Sequence, residues 1–249
     1  MLKEFKVLAF LVVLVTGAVL VYAIGDFPDW GDPISPASEH VSSYYIENAI
    51  HDTAVPNIVT ALLADYRGFD TMFETVVVFV AGIAVLFMLR RPKRESEVSM
   101  DVSGSPIVKT ATRIMVPMMQ LFALYIVAHG HHSPGGGFQG GVILGASLIL
   151  MAIAFGLPSA LKKISNKATV MLSALGVLIF SGIGILCMFL GGNFLDYSVL
   201  SAILPGTDRV MARSHAMLGV EIGVALTVMT AMFSIYADLA SEGQLDQGL

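Results

Sequence analysis

Hydrophobic residues run along this chain in long blocks, not in the short alternations of strands or the one-sided stripes of soluble helices. Six blocks, 7–24, 71–89, 107–128, 138–157, 168–190 and 215–236, reach the length of about 18 residues that crosses a hydrocarbon core roughly 30 Å thick. The pattern predicts an all-α membrane protein with about six transmembrane helices, because a helix satisfies its own backbone polar groups within one apolar segment. Lys3 and Lys6 precede the first block, and Val21-Tyr22-Ala23 near its end resembles a weak signal-cleavage site. The block's length and the lack of a clean small-x-small site favour an uncleaved span.

The polar stretches between the blocks predict the topology. Lys3 with Lys6, then Arg90, Arg91, Lys93 and Arg94, then Lys162, Lys163 and Lys167 form three basic clusters, while segments 25–70, 129–137 and 191–214 hold few basic residues. Alternating spans put all three clusters on one side, so the positive-inside rule assigns that side, and both termini, to the cytoplasm. "RRPKRESEVSMDVSGSP" (90–106) has the Ser, Gly and Pro of a linker. The chain therefore divides into a two-span module (1–92), a cytoplasmic linker (93–106) and a four-span bundle (107–240).

Composition agrees with a bilayer environment and removes several functions. Hydrophobic residues make up 55% of the chain and charged ones 13%, against roughly a quarter charged in soluble domains. A net charge of −5 without basic runs argues against nucleic-acid binding. Cys187 is the only cysteine, which excludes an intrachain disulfide, an Fe–S cluster or a Cys-based zinc site. No cofactor is expected, and no constellation supports enzyme chemistry.

Charge in the first module is one-sided. Asp26, Asp29, Asp32, Glu39, Glu47 and Asp52 occur with no Lys or Arg before Arg67. Such a loop steers cations inward, or it simply reflects the avoidance of positive charge by exported loops. Segment 41–64 is moderately amphipathic and reads as a helix along the membrane surface, interrupted at Pro56. In "NIVTALLADYRGFDTMFETVVVF" (57–79), Asp65, Arg67, Asp70 and Glu74 lead straight into a span. On a helix, Arg67, Asp70 and Glu74 share a face, and Arg67 neutralises a carboxylate at the membrane boundary. The competing reading makes Thr71 an N-cap, Glu74 its capping-box partner and Asp70 a favourable charge at the helix N-terminus. Both readings stay open for Glu74; for Asp65 a structural salt bridge is expected.

That segment resembles one near the C-terminal end of the large, A-type subunit of multisubunit sodium/proton (Mrp/Mnh) antiporters, with Asp65, Arg67, Asp70, Thr71 and Glu74 as the matching residues. It is similar, too, to a small membrane subunit of archaeal membrane-bound hydrogenases. Here it is not attached to a long antiporter-like chain, so the resemblance implies a helper rather than the proton-translocating subunit.

"AHGHHSPGGGFQGGVILGA" (128–146) carries the remaining chemistry. A phosphate loop needs Lys-Ser/Thr after its glycines, and none follows. A zinc site would use His129, His131 and His132, but no carboxylate or thiolate lies nearby in sequence. The stretch reads instead as a tight exoplasmic turn: Pro134 starts it, Gly135, Gly136 and Gly137 allow positive φ and close approach, and Phe138 opens the next helix. Gly140, Gly141, Gly145, Ala146 and Ser147 give that helix a small-residue face for one neighbour. The motif resembles the MnhB-type subunit of the same antiporters through Gly130, His131, Pro134, Gly135, Gly136, Gly137, Phe138, Gly140 and Gly141. The likeness continues to "HAMLGVEIGVALTV" in the last block. Together the two resemblances imply a fusion of neighbouring subunits whose modules pack together in a prokaryotic inner membrane. They also imply other membrane subunits as partners, and sodium ions and protons as cargo.

Glu221 stands about eight residues beyond Arg213, roughly 12 Å into the membrane at 1.5 Å per residue. A carboxylate there is costly unless protonated, paired or hydrated, so it marks either an ion path or a hydrogen bond to a neighbouring helix. MnhB-type relatives carry an acid at the matching place. His215 reads as a boundary residue more than a proton relay, and Arg113 as snorkelling or a counter-ion. The candidate ion-path residues are thus Glu221, Glu74, Asp70, Arg67, Asp65, His131 and His215. The rival functions are a stand-alone cation carrier using the histidine turn, a redox-coupled hydrogenase-like complex, and a pure assembly scaffold.

Overall fold

The computed structural model describes residues 2–89 and 105–243. The basic cluster Arg90 to Arg94 and nearly all of the expected linker lie outside the described residues. The helices are α1 Leu2–Ile24, α2 Ser43–Thr53, α3 Ile58–Thr60, α4 Gly68–Leu89, α5 Pro106–His129, α6 Gly137–Phe155, α7 Leu157–Leu161, α8 Asn166–Phe189 and α9 Arg209–Ala240. Among the described residues six of these (α1, α4, α5, α6, α8 and α9) are long and apolar enough to cross a membrane. The architecture is the all-α, six-span one that the hydrophobic blocks predict.

Helix ends depart from the block edges where local chemistry decides. The fourth span stops at Phe155, because Gly156 takes φ 86° and turns the chain into α7. The last span begins at Arg209, six residues before the apolar block, because the Asp208 carboxylate accepts the Met211 N–H at 2.7 Å and caps α9. Ser165 caps α8 in the same way, accepting from Ala168 N–H at 3.2 Å. The capping box that one of the two readings places at Thr71 is not formed. α4 already starts at Gly68, so Thr71 lies inside the helix and its hydroxyl donates instead to the Leu63 carbonyl at 2.8 Å. The surface segment 41–64 breaks where expected, since α2 ends at Thr53 and Ala54 takes φ 54° before Pro56.

The chain forms two compact units, Met1–Glu47 and Asn48–Leu249. In the first, no residue of the apolar Lys6–Ile24 stretch of α1 is buried, and a π-helical turn, Ala37–Ser42, follows. In the second, α9 is the axis: α4, α5, α6 and α8 all pack on it. α4, from the segment with the A-type resemblance, therefore packs into the bundle with the MnhB-type one.

Lipid is as apolar as a leucine side chain, so these helices gain little from burial alone and associate through close packing. Gly176 and Gly223 bring α8 and α9 into backbone contact, a Cβ on Gly223 falling 2.7 Å from the Gly176 carbonyl oxygen. The Thr227 hydroxyl donates to the Ser173 carbonyl at 3.1 Å beside that crossing. The small residues of α6 do not serve one neighbour, as their grouping in sequence suggests. Gly141 and Gly145 face Ala225 and Met229 of α9, whereas Gly140 faces Ala123 and Val127 of α5. A turn of about 100° per residue separates adjacent glycines onto two faces.

Candidate functional site

The chain from Asn57 to Glu74 and the glycine turn converge on the N-terminal half of α9. Asn57 caps α3, its Oδ1 accepting from Val59 N–H at 3.1 Å. A π-helical turn, Ala61–Tyr66, follows, closed by the Arg67 N–H donating to the Leu62 carbonyl at 2.8 Å. Such widened turns often accompany functional sites. This one sends Asp65 toward α9, where the Arg213 guanidinium donates to both carboxylate oxygens, Nε at 2.8 Å and Nη2 at 2.5 Å. The Asp65 side chain is only 8% exposed, so the pair is a bidentate, charge-assisted one with little competition from water. Tyr197, in the 3-10 turn Tyr197–Ala202, donates its hydroxyl to the Ala64 carbonyl at 3.0 Å. Burial, with Asp65 nearby, pushes that phenol well above its ordinary range, so it remains a donor.

Arg67 pairs with Asp70, the neutralising contact that their i, i+3 spacing predicts. Its Nε donates to Asp70 Oδ2 at 2.7 Å, and both side chains are 59% exposed. Such a pair contributes little to stability.

The glycine turn supplies the other wall. Gly135 and Gly136 have positive φ, and Gly137 is already the first residue of α6. The Gly137 N–H, at the positive end of that helix, donates to Glu221 Oε2. Glu221 lies about 18 Å along α9 from Arg209, at 1.5 Å per residue. A Cβ on Gly136 would stand 3.0 and 3.1 Å from the two Glu221 oxygens, so the glycines are what let the backbone come close enough. Pro134 and Phe138 are exposed on either side of this contact, and Gly141 sits one turn further along α6 against Ala225.

Between α4, α6, α9 and the π-helical turn lies a cavity of about 220 Å³. Its polar lining comes from Glu221, Glu74, Thr60, Thr71, Thr75 and Gln139, set among apolar side chains such as Val224 and Val228. Of the seven ion-path candidates, the structure brings Glu74 and Glu221 together on this cavity. Asp65, Arg67 and Asp70 are held in the two ion pairs, and His131 and His215 do not line the cavity. His131 lies close enough to His132, His129 and His215 for those imidazoles, together with burial as the largest cause, to push its own below the ordinary range. Among the described residues no group of three His, Cys, Asp or Glu could hold a metal ion.

Some contributors are absent from the sequence reading. Asn57 and Thr60 hold the glycine turn, the Thr60 hydroxyl donating to the Gly130 carbonyl at 2.7 Å. Asn57 is visible in sequence as a capping residue before Ile58, but its second role depends on a segment more than seventy residues away. Arg213 signals a need for a partner acid, without saying which. Arg113, exposed on α5, lies 5.7 Å over the Phe155 ring.

A family profile described as "Domain related to MnhB subunit of Na+/H+ antiporter" matches residues 107–234, and the MbhE profile, described as an MBH subunit, matches residues 33–103. A protein of Methanocaldococcus jannaschii, described only as uncharacterized, is 32% identical over 197 residues, covering 73% of this chain and 70% of its own. A probable K(+)/H(+) antiporter A/B subunit of Rhizobium meliloti is 25% identical over 231 residues, 83% of this chain but 23% of that one. Among solved structures, a chain of the membrane-bound sulfane sulfur reductase, an archaeal respiratory membrane complex, aligns with TM-score 0.60 and 30% identity over 93% of this chain and 98% of its own. A chain of the Mrp complex from Dietzia sp. DQ12-45-1b aligns with TM-score 0.61 and 29% identity over 96% of this chain and 26% of its own. The chain thus spans about a quarter of the length of these two antiporter chains.

Proposed function

Since the chain belongs to the family of MnhB-related Na+/H+ antiporter subunits, we propose that its two cavity carboxylates, Glu74 and Glu221, form part of a path for sodium ions and protons. The chain is a non-catalytic membrane subunit of a multisubunit cation/proton antiporter or of a related respiratory complex, and it associates with the other membrane subunits there. One observation carries the path: two acids set about 150 residues apart in sequence line a single cavity with three threonines and a glutamine. Sodium and protons both need hard oxygen donors, and carboxylates, hydroxyls and waters in such a space supply them. The Gly137 N–H compensates part of the charge on Glu221, so the carboxylate is not stranded in the apolar bundle. Glu74, exposed at the other wall, is the partner through which an ion enters or leaves. Its test is Glu74→Gln in inverted vesicles: sodium-dependent proton exchange falls at least tenfold while the complex purifies intact. Wild-type exchange in that variant removes the cavity from the path.

The fusion reading divides the chain into a two-span module (1–92), a linker (93–106) and a four-span domain (107–240), the first supplying Glu74 and the last Glu221. A redox-coupled respiratory complex is the second reading of the assembly. It is supported by the likeness to the archaeal sulfane sulfur reductase chain, which extends over 98% of that chain.

For topology, the basic clusters support cytoplasmic termini in an inner membrane and an exported glycine turn. In a Cys187→Ala background, an impermeant reagent added outside labels Ser133→Cys, in the turn, and spares Ser159→Cys, in α7. The reverse labelling overturns this orientation.

A further inference from the structure

The turn from Gly130 to Gly136 has no ladder or helix to hold it, yet it must deliver the Gly137 N–H to Glu221. Beside its own backbone hydrogen bonds, Asn57 and Thr60 hold it, and Asn57 makes most of the contacts. Asn57 Nδ2 donates to the Gly130 carbonyl at 2.8 Å, to the Ser133 carbonyl at 2.9 Å and toward Thr60 Oγ1 at 3.0 Å. Its backbone N–H donates to the His131 carbonyl at 3.3 Å. The amide orientation follows from the network, since the flipped form would turn Oδ1 onto two carbonyl oxygens. Gly130 in turn touches Gly136: a Cβ on Gly130 would fall 2.7 Å from the Gly136 Cα. Fixing Gly130 therefore fixes Gly136, and with it the direction of the next N–H. Asn57 belongs to the same segment that carries Thr60, Thr71 and Glu74 to the opposite wall of the cavity.

From this chain of contacts we propose that Asn57 is a positioning residue for ion exchange, which holds the glycine turn so that Gly137 N–H meets Glu221 in register with the Glu74 wall. The proposal rests on Glu74 and Glu221 being the path. It separates two jobs that Asn57 does at once. Capping α3 needs only a short side-chain acceptor, which serine also provides. Gripping the turn needs an amide long enough to reach the carbonyls of Gly130 and Ser133, which serine does not provide.

Asn57→Ser therefore keeps the cap and removes the amide's two bonds to the turn, while Asn57→Ala loses both the cap and those bonds. With the complete complex in inverted vesicles, Asn57→Ser lowers the maximal exchange rate about tenfold, of the order of what one hydrogen bond contributes. The half-saturating sodium concentration stays unchanged, because Asn57 does not meet the ion. The infrared carboxyl band of Glu221, assigned by its loss in Glu221→Gln, shifts in Asn57→Ser. Thr60→Val removes a hydroxyl that donates to Gly130, accepts from Asn57 and lines the cavity, so the band and not the rate is its readout: the same band shifts, and this decides the matter if Asn57→Ser does not assemble. An unshifted band and wild-type rate in Asn57→Ser, or an unshifted band in Thr60→Val where only that variant assembles, overturn the role of Asn57 and leave the path standing. Retained exchange in Glu221→Gln strikes the path itself, and the band alone then judges Asn57: a shift upholds its grip on the turn, no shift ends it.

Discussion

Gly136→Val abolishes assembly of the complex: tagged chain pulls down none of its membrane partners, and little of it accumulates. Gly136 takes φ 138° and ψ −178°, a backbone region that only glycine occupies without strain. A side chain there costs about 1–3 kcal/mol in backbone strain before any contact is counted. Its Cβ would press on both Glu221 oxygens and on Gln139 Oε1 at 3.2 Å, and valine adds two branches to the same crowded place. Overpacking costs about another 1–3 kcal/mol. The turn cannot yield outward freely, because Gly130 packs on Gly136 from the other side and is itself gripped by Asn57 and Thr60. The sum, about 2–6 kcal/mol, reaches the lower end of a domain's whole stability of about 5–15 kcal/mol. Gly136→Ala meets the strain without the branches and assembles at a reduced level. Normal partner recovery with Gly136→Val contradicts the close approach of turn and α9.

The spans, and with them the fold, were legible because bilayer thickness sets their length and so writes itself into block size. Their ends were less so. Asp208 and Gly156 move two of them through capping and a positive φ, which a count of apolar residues does not register. At the site, Glu221 stood out as a carboxylate in an apolar block, and the glycine turn by its composition. Glu74 was ambiguous, because a capping box and a cavity acid ask for the same residue near the same helix start. The start of α4 at Gly68, three residues before Thr71, removes the capping box, and the ion-path role of Glu74 stands as the proposal. The π-helical turn was invisible, since its extra residue leaves no compositional trace, yet it turns Asp65 to Arg213. Asn57, Thr60 and Tyr197 act across 73, 70 and 133 residues of sequence. Their roles need the folded chain, because a polar residue in a loop does not name its distant acceptor.

Glu221→Gln leaves assembly intact and removes exchange. Glutamine keeps the length of the side chain and a carbonyl oxygen for the Gly137 N–H, so the contact between α9 and the glycine turn survives in form. What it loses is ionisation, and with it the ability to take up a proton or to balance a sodium ion in the cavity. A purely structural Glu221 needs only the hydrogen bond, which the amide still accepts, and so predicts near-normal exchange. A path residue needs the charge. The deciding measurement is sodium-dependent proton exchange by the intact complex in inverted vesicles, with Glu221→Gln beside the unaltered chain at matched subunit recovery. The path predicts exchange at background over the whole range of pH and sodium tested, and exchange with unaltered rate, sodium dependence and pH dependence would contradict it.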